Sequence, residues 1–133
     1  MGLSLEYIAG IFDGEGCVST NGARGYLFVH IACSNDTVLT GVSELFGGCI
    51  STRANGNKTW TATTQSAKRF LVAILPYLII KRQVAEVGIA LASRPKESPL
   101  HPEREVLRRR MHELNLMTSP RAARKGRFEV EAK

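Results

Sequence analysis

Nine residues, Ile8-Ala9-Gly10-Ile11-Phe12-Asp13-Gly14-Glu15-Gly16, constrain this chain more than any other stretch. Laid on a helix, Leu5, Ile8, Ala9 and Phe12 fall on one side and Tyr7, Gly10 and Ile11 on the others, so no face is left polar. A short helix that is apolar all round is buried on every side, against its own domain and against a second surface. Ser4 reads as the N-cap, and Gly14 and Gly16 as stop signals, which predicts a helix from about Leu5 to Asp13. Gly10 and Gly14 lie one turn apart and Ala9 adds little bulk, so another backbone can come close. That second surface is read as a partner's copy of the same helix, with Ile8, Ala9, Gly10, Phe12 and Asp13 at the interface. Anions are disfavoured at a helix C-terminus, and a turn needs no Glu between two glycines, so Asp13 and Glu15 stand out. Seen alone, Asp-Gly-Glu-Gly is most often a solvated loop, and the apolar helix ahead of it is what shifts the reading.

This stretch resembles the LAGLIDADG motif of homing endonucleases, here in the form IAGIFDGEG. The resemblance implies that two such helices pack side by side on a twofold axis. It also implies that the penultimate acidic residue, Glu15, binds divalent metal, with Asp13 as the less essential, helix-ending carboxylate.

The 133 residues suffice for one domain with a real core. No apolar run approaches the ~18 residues of a membrane span, and no basic region precedes the first apolar stretch, so an intracellular protein with no membrane partner is expected. Cys17, Cys33 and Cys49 are odd in number and lack CxxC spacing, which suggests neither a disulfide framework nor a zinc site. The net charge of +6 is uneven: eight Lys/Arg face six Asp/Glu up to Arg94, and ten face six beyond it. A basic chain with a basic end favours a polyanion.

Beyond the nonapeptide, Cys17 to Asn21 and Tyr26 to Cys33 alternate around a turn-rich connection, a hairpin. Val18, Leu27, Val29 and Ile31 take one face, and Ser19, Asn21, Phe28 and His30 the other. A helix follows through Val38, Val42, Leu45 and Phe46, then a second hairpin from Cys49 to Arg53 and Thr59 to Thr64 around Asn55-Gly56-Asn57. Ser66 opens a helix that Pro76 closes, and a further helix runs from about Lys81 to Ala92. The order is α+β: a four-stranded antiparallel sheet with its helices on one face. It matches the αββαββα core of the homing-endonuclease family, over roughly residues 3 to 92, and the absence of a second nonapeptide is similar to the single-motif members, which act as homodimers.

Residues 1–94 are read as that core and 95–133 as a C-terminal extension: a linker with Pro95, Pro99 and Pro102, a helix from Glu103 to Leu116, and a basic tail. Arg108, Arg109 and Arg110 cannot all face one way, so at least one is expected to meet phosphate; Arg108 and Arg109 are the candidates.

Cutting a phosphodiester needs a nucleophilic water, a hard cation and donors for charge building on phosphorus. Carboxylate oxygens suit Mg²⁺. One Glu15 is too little alone, whereas two at the ends of paired helices make a shared acidic site. The resemblance adds the Gly14 carbonyl as a metal ligand, with Mg²⁺ or Mn²⁺ as cofactor and Ca²⁺ able to occupy the site without supporting cleavage. It also implies Lys81 as the active-site lysine and Asn35 as a polar residue ordering water, although a Lys opening a helix is ordinarily solvated and Asn35 is equally an N-cap. Leu39 stands where some members have a basic active-site residue, which leaves that corner without its charge unless Arg82 substitutes.

For DNA, the outer face of a twisted sheet can lie along the major groove. The candidates are Ser19, Asn21, Arg24, Tyr26, Phe28, His30, Ser51 and Arg53, with Thr59 and Thr61 if Trp60 points inward. Arg53 is the best single base contact, because its fork suits guanine. The leading expectation is a homodimeric, site-specific double-strand DNA endonuclease of the LAGLIDADG homing type, acting on a long pseudo-palindromic target. The rivals are an RNA-splicing maturase that binds intron RNA and a DNA-binding regulator without cleavage.

Overall fold

The computed structural model describes residues 2–21 and 25–118. Arg24 and the basic tail lie outside the described residues. The elements run α1 (Leu5–Glu15), β1 (Gly16–Asn21), β2 (Tyr26–Cys33), α2 (Asp36–Phe46), β3 (Cys49–Thr52), β4 (Lys58–Thr63), α3 (Thr64–Ile74), a 3₁₀ turn (Leu75–Tyr77), α4 (Arg82–Ala92) and α5 (Pro102–Thr118). Most expected boundaries hold to within two residues; α1 runs on through Glu15 before Gly16 ends it, and α3 starts earlier than a cap at Ser66 implies, its N-cap being Thr63.

The four strands form one antiparallel sheet in the order β1-β2-β4-β3. Its closed face carries Val18, Leu27, Val29, Ile31, Trp60 and Ala62, all buried against the helices. Aromatic packing centres on Phe70 of α3, whose ring meets Phe12 at 5.2 Å, Phe46 at 5.1 Å and Trp60 at 4.8 Å. The Trp60 indole N–H donates to the Gly47 carbonyl at 2.8 Å, which satisfies the one polar atom of a side chain with no exposed surface.

The helix α5 packs on α4 and β1, and its Met111 and Leu114 belong to the same buried cluster as the rest. Asn115 donates its amide to the Val18 carbonyl at 2.8 Å, covering part of the β1 edge. Between α4 and α5, Arg94 pairs with both Glu97 and Glu103, and Arg104 reaches Glu97 at 3.2 Å. The Pro-containing segment is thus tied down by charge pairs. No helix among the described residues is long and apolar enough to cross a membrane.

Candidate active site

Ser4 caps α1 as expected, its hydroxyl accepting from the Tyr7 N–H at 3.1 Å. The helix faces differ from the expectation. Ile8, Ala9 and Phe12 have no exposed surface in the single chain, so they are spent on its own core and are not a surface for a partner. The open side of α1 carries Tyr7, Gly10 and Gly14 instead. A Cβ built on Gly10 or Gly14 would meet nothing within 4 Å, whereas one on Gly16 would strike the Phe12 ring at 2.2 Å. Gly16 is therefore fixed by packing within the chain, and Gly10 and Gly14 are not.

At the C-terminal end of α1 the helix carbonyls and two carboxylates put negative charge together. The positive charge comes from 68 residues further on: Lys81 Nζ donates to the Asp13 carbonyl at 2.6 Å. The Asp13 carboxylate accepts from the Ile79 N–H at 2.8 Å and from the Lys81 N–H at 2.9 Å. Asp13 thus faces its own chain through both oxygens and is half-buried. Lys81, at the N-cap position of α4, is only 4 % exposed. Burial holds its ammonium below the ordinary value of 10.5, against the attraction of Asp13, Cys17 and Glu15. Burial likewise pushes the Cys17 thiol up, with Lys81 pulling the other way. A lysine opening a helix is thus a buried, partnered lysine at the acidic end of another.

Glu15 itself is exposed and borders a groove of about 530 Å³ whose other walls include Ile11, Ser34, Arg53, Asn57 and Thr59. The Thr59 hydroxyl, in a residue 8 % exposed, has no hydrogen-bond partner among the described residues. Asn35 is committed as the N-cap of α2, its Oδ1 accepting from the Val38 N–H at 3.2 Å. Leu39 has no exposed surface and belongs to the core, so it is no part of this groove and takes no charge away from it. Arg82 pairs with Glu86 on the surface of α4, and Arg53, missed as a neighbour of Glu15, is the cation on the groove wall. Arg53 lies just past the end of β3, and its proximity to α1 depends on the β2-β4 pairing, which no local pattern encodes.

The sheet register brings the expected outer-face residues together. Ser19 lies opposite Phe28 and Asn21 opposite Tyr26, His30 opposite Thr61, and Ser51 opposite Thr59, all on the face away from the helices. Trp60 points inward, so Thr59 and Thr61 point outward. The same register adds Cys17, paired with His30, and Cys49, paired with Thr61. Arg108 departs from expectation: its guanidinium donates to the Pro99 carbonyl at 2.9 Å and to Glu105 at 2.7 Å, and lies over Gly25. It is engaged within the chain, while Arg109 keeps 72 % of its side chain exposed.

An α+β unit that sets an acidic helix end beside an open antiparallel sheet has the homing-endonuclease fold. The structure of I-CvuI on the I-CreI target, with Mg and uncleaved DNA, aligns with a TM-score of 0.72 at 17 % identity, over 83 % of this chain and 80 % of that one. I-TnaI aligns at 0.55 and 16 % identity over 100 % of both chains. The archaeal intron-encoded I-Vdi141I, solved with DNA, aligns at 0.55 and 15 % identity over 84 % of this chain and 96 % of that one. A family profile described as a LAGLIDADG-like domain matches residues 2–74, and this chain belongs to that family. No curated protein sequence gives a match.

Proposed function

We propose that two copies of this chain form a divalent-metal-dependent endonuclease that cuts both strands of a long, pseudo-palindromic DNA site, as homing endonucleases do. The observation that carries the reading is the end of α1: an exposed Glu15 with a buried, partnered Lys81 behind it, at the margin of a polar sheet face. Burying a lysine charge there is costly, and the acidic groups around it offset only part of that cost.

The donor set fits a hard cation only when doubled. Among the described residues, no three His, Cys, Asp or Glu side chains gather as a metal site. Glu15 and the Gly14 carbonyl from each of two copies would supply four oxygens, the donor type that Mg²⁺ or Mn²⁺ takes. When bound, such a cation supplies Lewis acidity to the phosphodiester and its leaving oxygen. I-CvuI has been solved on its DNA with Ca as well, a cation that would fill this site without supporting cleavage. Lys81 holds a positive charge where charge builds on the scissile phosphate, and Arg53 presents a second from the groove wall. Ser19, Asn21, Tyr26, Phe28, His30, Ser51, Thr59 and Thr61 supply the face that meets bases, and Arg109 contacts phosphate.

A second copy has a place to dock. Gly10 and Gly14 each cost a helix about 1 kcal/mol relative to Ala, and nothing among the described residues uses their missing side chains. Close approach of a partner backbone does use them.

Selection of cleaved sites from a randomised duplex library in Mg²⁺ tests the reading, with Glu15→Gln alongside. Recovered cut duplexes with approximate twofold symmetry, absent for Glu15→Gln, are expected. Tight sequence-specific binding with no cut duplex for either protein would leave a DNA-binding regulator.

A further inference from the structure

We propose that Asp13 is the positioning residue for Lys81, a role that rests on the nuclease reading above. Three bonds join the two residues or their neighbours. Both oxygens of one carboxylate take backbone N–H groups, of Ile79 and of Lys81, and the carbonyl of the same residue takes the ammonium.

Among the described residues, Asp13 is the one side chain that hydrogen-bonds the segment from Leu78 to Lys81. Ile79 is 85 % exposed and Ile80 54 %, so their packing does not fix it, although Leu78 just before them is buried. The start of α4 has no side-chain cap hydrogen bond of its own. A carboxylate next to the N-terminus of a helix also meets the favourable end of its dipole. Asp13 therefore anchors α4 to α1 at the point where Lys81 enters, and Glu15 follows two residues along the same helix. The lysine and the acidic tip share one rigid reference. Lysine has four rotatable side-chain bonds, and without the anchor its ammonium would swing toward water.

The arrangement also sets what Asp13 does not do. With both carboxylate oxygens accepting from backbone donors, it is turned toward the chain and away from the cation site at Glu15.

A double-mutant cycle on the full chain tests this, with a duplex recovered from the library as substrate. Single-turnover cleavage in Mg²⁺ is compared for the wild type, Asp13→Asn, Lys81→Met and the double variant, and DNA affinity is measured in Ca²⁺. Each single variant is expected to slow cleavage by about ten-fold or more while affinity stays within about two-fold. In the Lys81→Met background, Asp13→Asn should then change the rate by less than about two-fold. Multiplying losses would overturn the proposal, because they would mean that Asp13 acts independently of the lysine.

Amide hydrogen exchange supplies a readout that needs no cleavage. Ile79 and Lys81 should lose protection in Asp13→Asn and keep it in Lys81→Met. Unchanged protection in Asp13→Asn would sink the proposal, even in a protein that cuts nothing. A wild type without cleavage would sink the nuclease reading instead, and the exchange data would still decide whether Asp13 holds the segment. Should Asp13→Asn fail to fold, Asp13→Glu keeps the charge and lengthens the reach. It is expected to give the same loss of rate and protection, and wild-type behaviour from it would count against the proposal.

Discussion

Lys81 sits where burial and three nearby acidic groups act on it in opposite directions, and burial prevails. Its proton is bound less tightly in the folded chain than in the unfolded one. The cost to stability is therefore full below the lowered folded value and is relieved as pH rises toward 10.5, so stability should climb with pH in that window. Chemical denaturation across alkaline pH in a Cys17→Ser background, which removes the opposing contribution of the thiol, should record that climb and lose it in Lys81→Met. Gly48 offers a second residue-scale prediction. Its φ is +87°, and a Cβ there would lie 2.5 Å from the Thr61 carbonyl oxygen. Gly48→Ala is expected to destabilise the fold by about 2 kcal/mol or more, read as a lowered denaturation midpoint. Neither environment was legible in the chain. Lys81 follows two isoleucines like many helix-opening lysines, and the residue that holds it is 68 positions away.

Among the elements, the strands were the most legible. Period-two alternation separates Val18, Leu27, Val29 and Ile31 from Ser19, Phe28 and His30, and the observed register keeps them apart. Helix α1 was legible as an element but not in its orientation. An all-apolar helix has no polar side to mark which face meets its own core, and the bulky face, Ile8 and Phe12, went inward. The side with Tyr7, Gly10 and Gly14 is exposed, and the proposed dimer seats its second copy there. Gly10→Leu should therefore leave thermal stability near that of the wild type and shift sedimentation to the monomer. In the core, Phe70→Ala removes the ring on which Phe12, Phe46 and Trp60 converge, and should cost about 3–5 kcal/mol in denaturant unfolding. The arginine run of α5 was legible as amphipathic, but the capture of Arg108 by Pro99 and Glu105 depends on how the preceding segment folds back.

For the whole molecule, charge and architecture point the same way. A chain of net charge +6 offers an open sheet face with Arg53 at one margin and an exposed Arg109 on α5. Binding to a long duplex by two copies should depend steeply on salt, with affinity falling by about a hundred-fold or more between roughly 50 and 200 mM. The family and its sheet were legible because one nonapeptide and two hairpins carry them locally. The groove beside Glu15 was not, because Arg53, Thr59 and Ser34 meet only after β2 and β4 pair. The proposed activity depends on the completion of one site by two chains. The most direct measurement is the number of chains on a selected duplex, by native mass spectrometry or sedimentation in Ca²⁺, followed by cleavage on adding Mg²⁺. Two chains per duplex, with both strands cut, is the predicted result; a single chain that cuts both strands would contradict it.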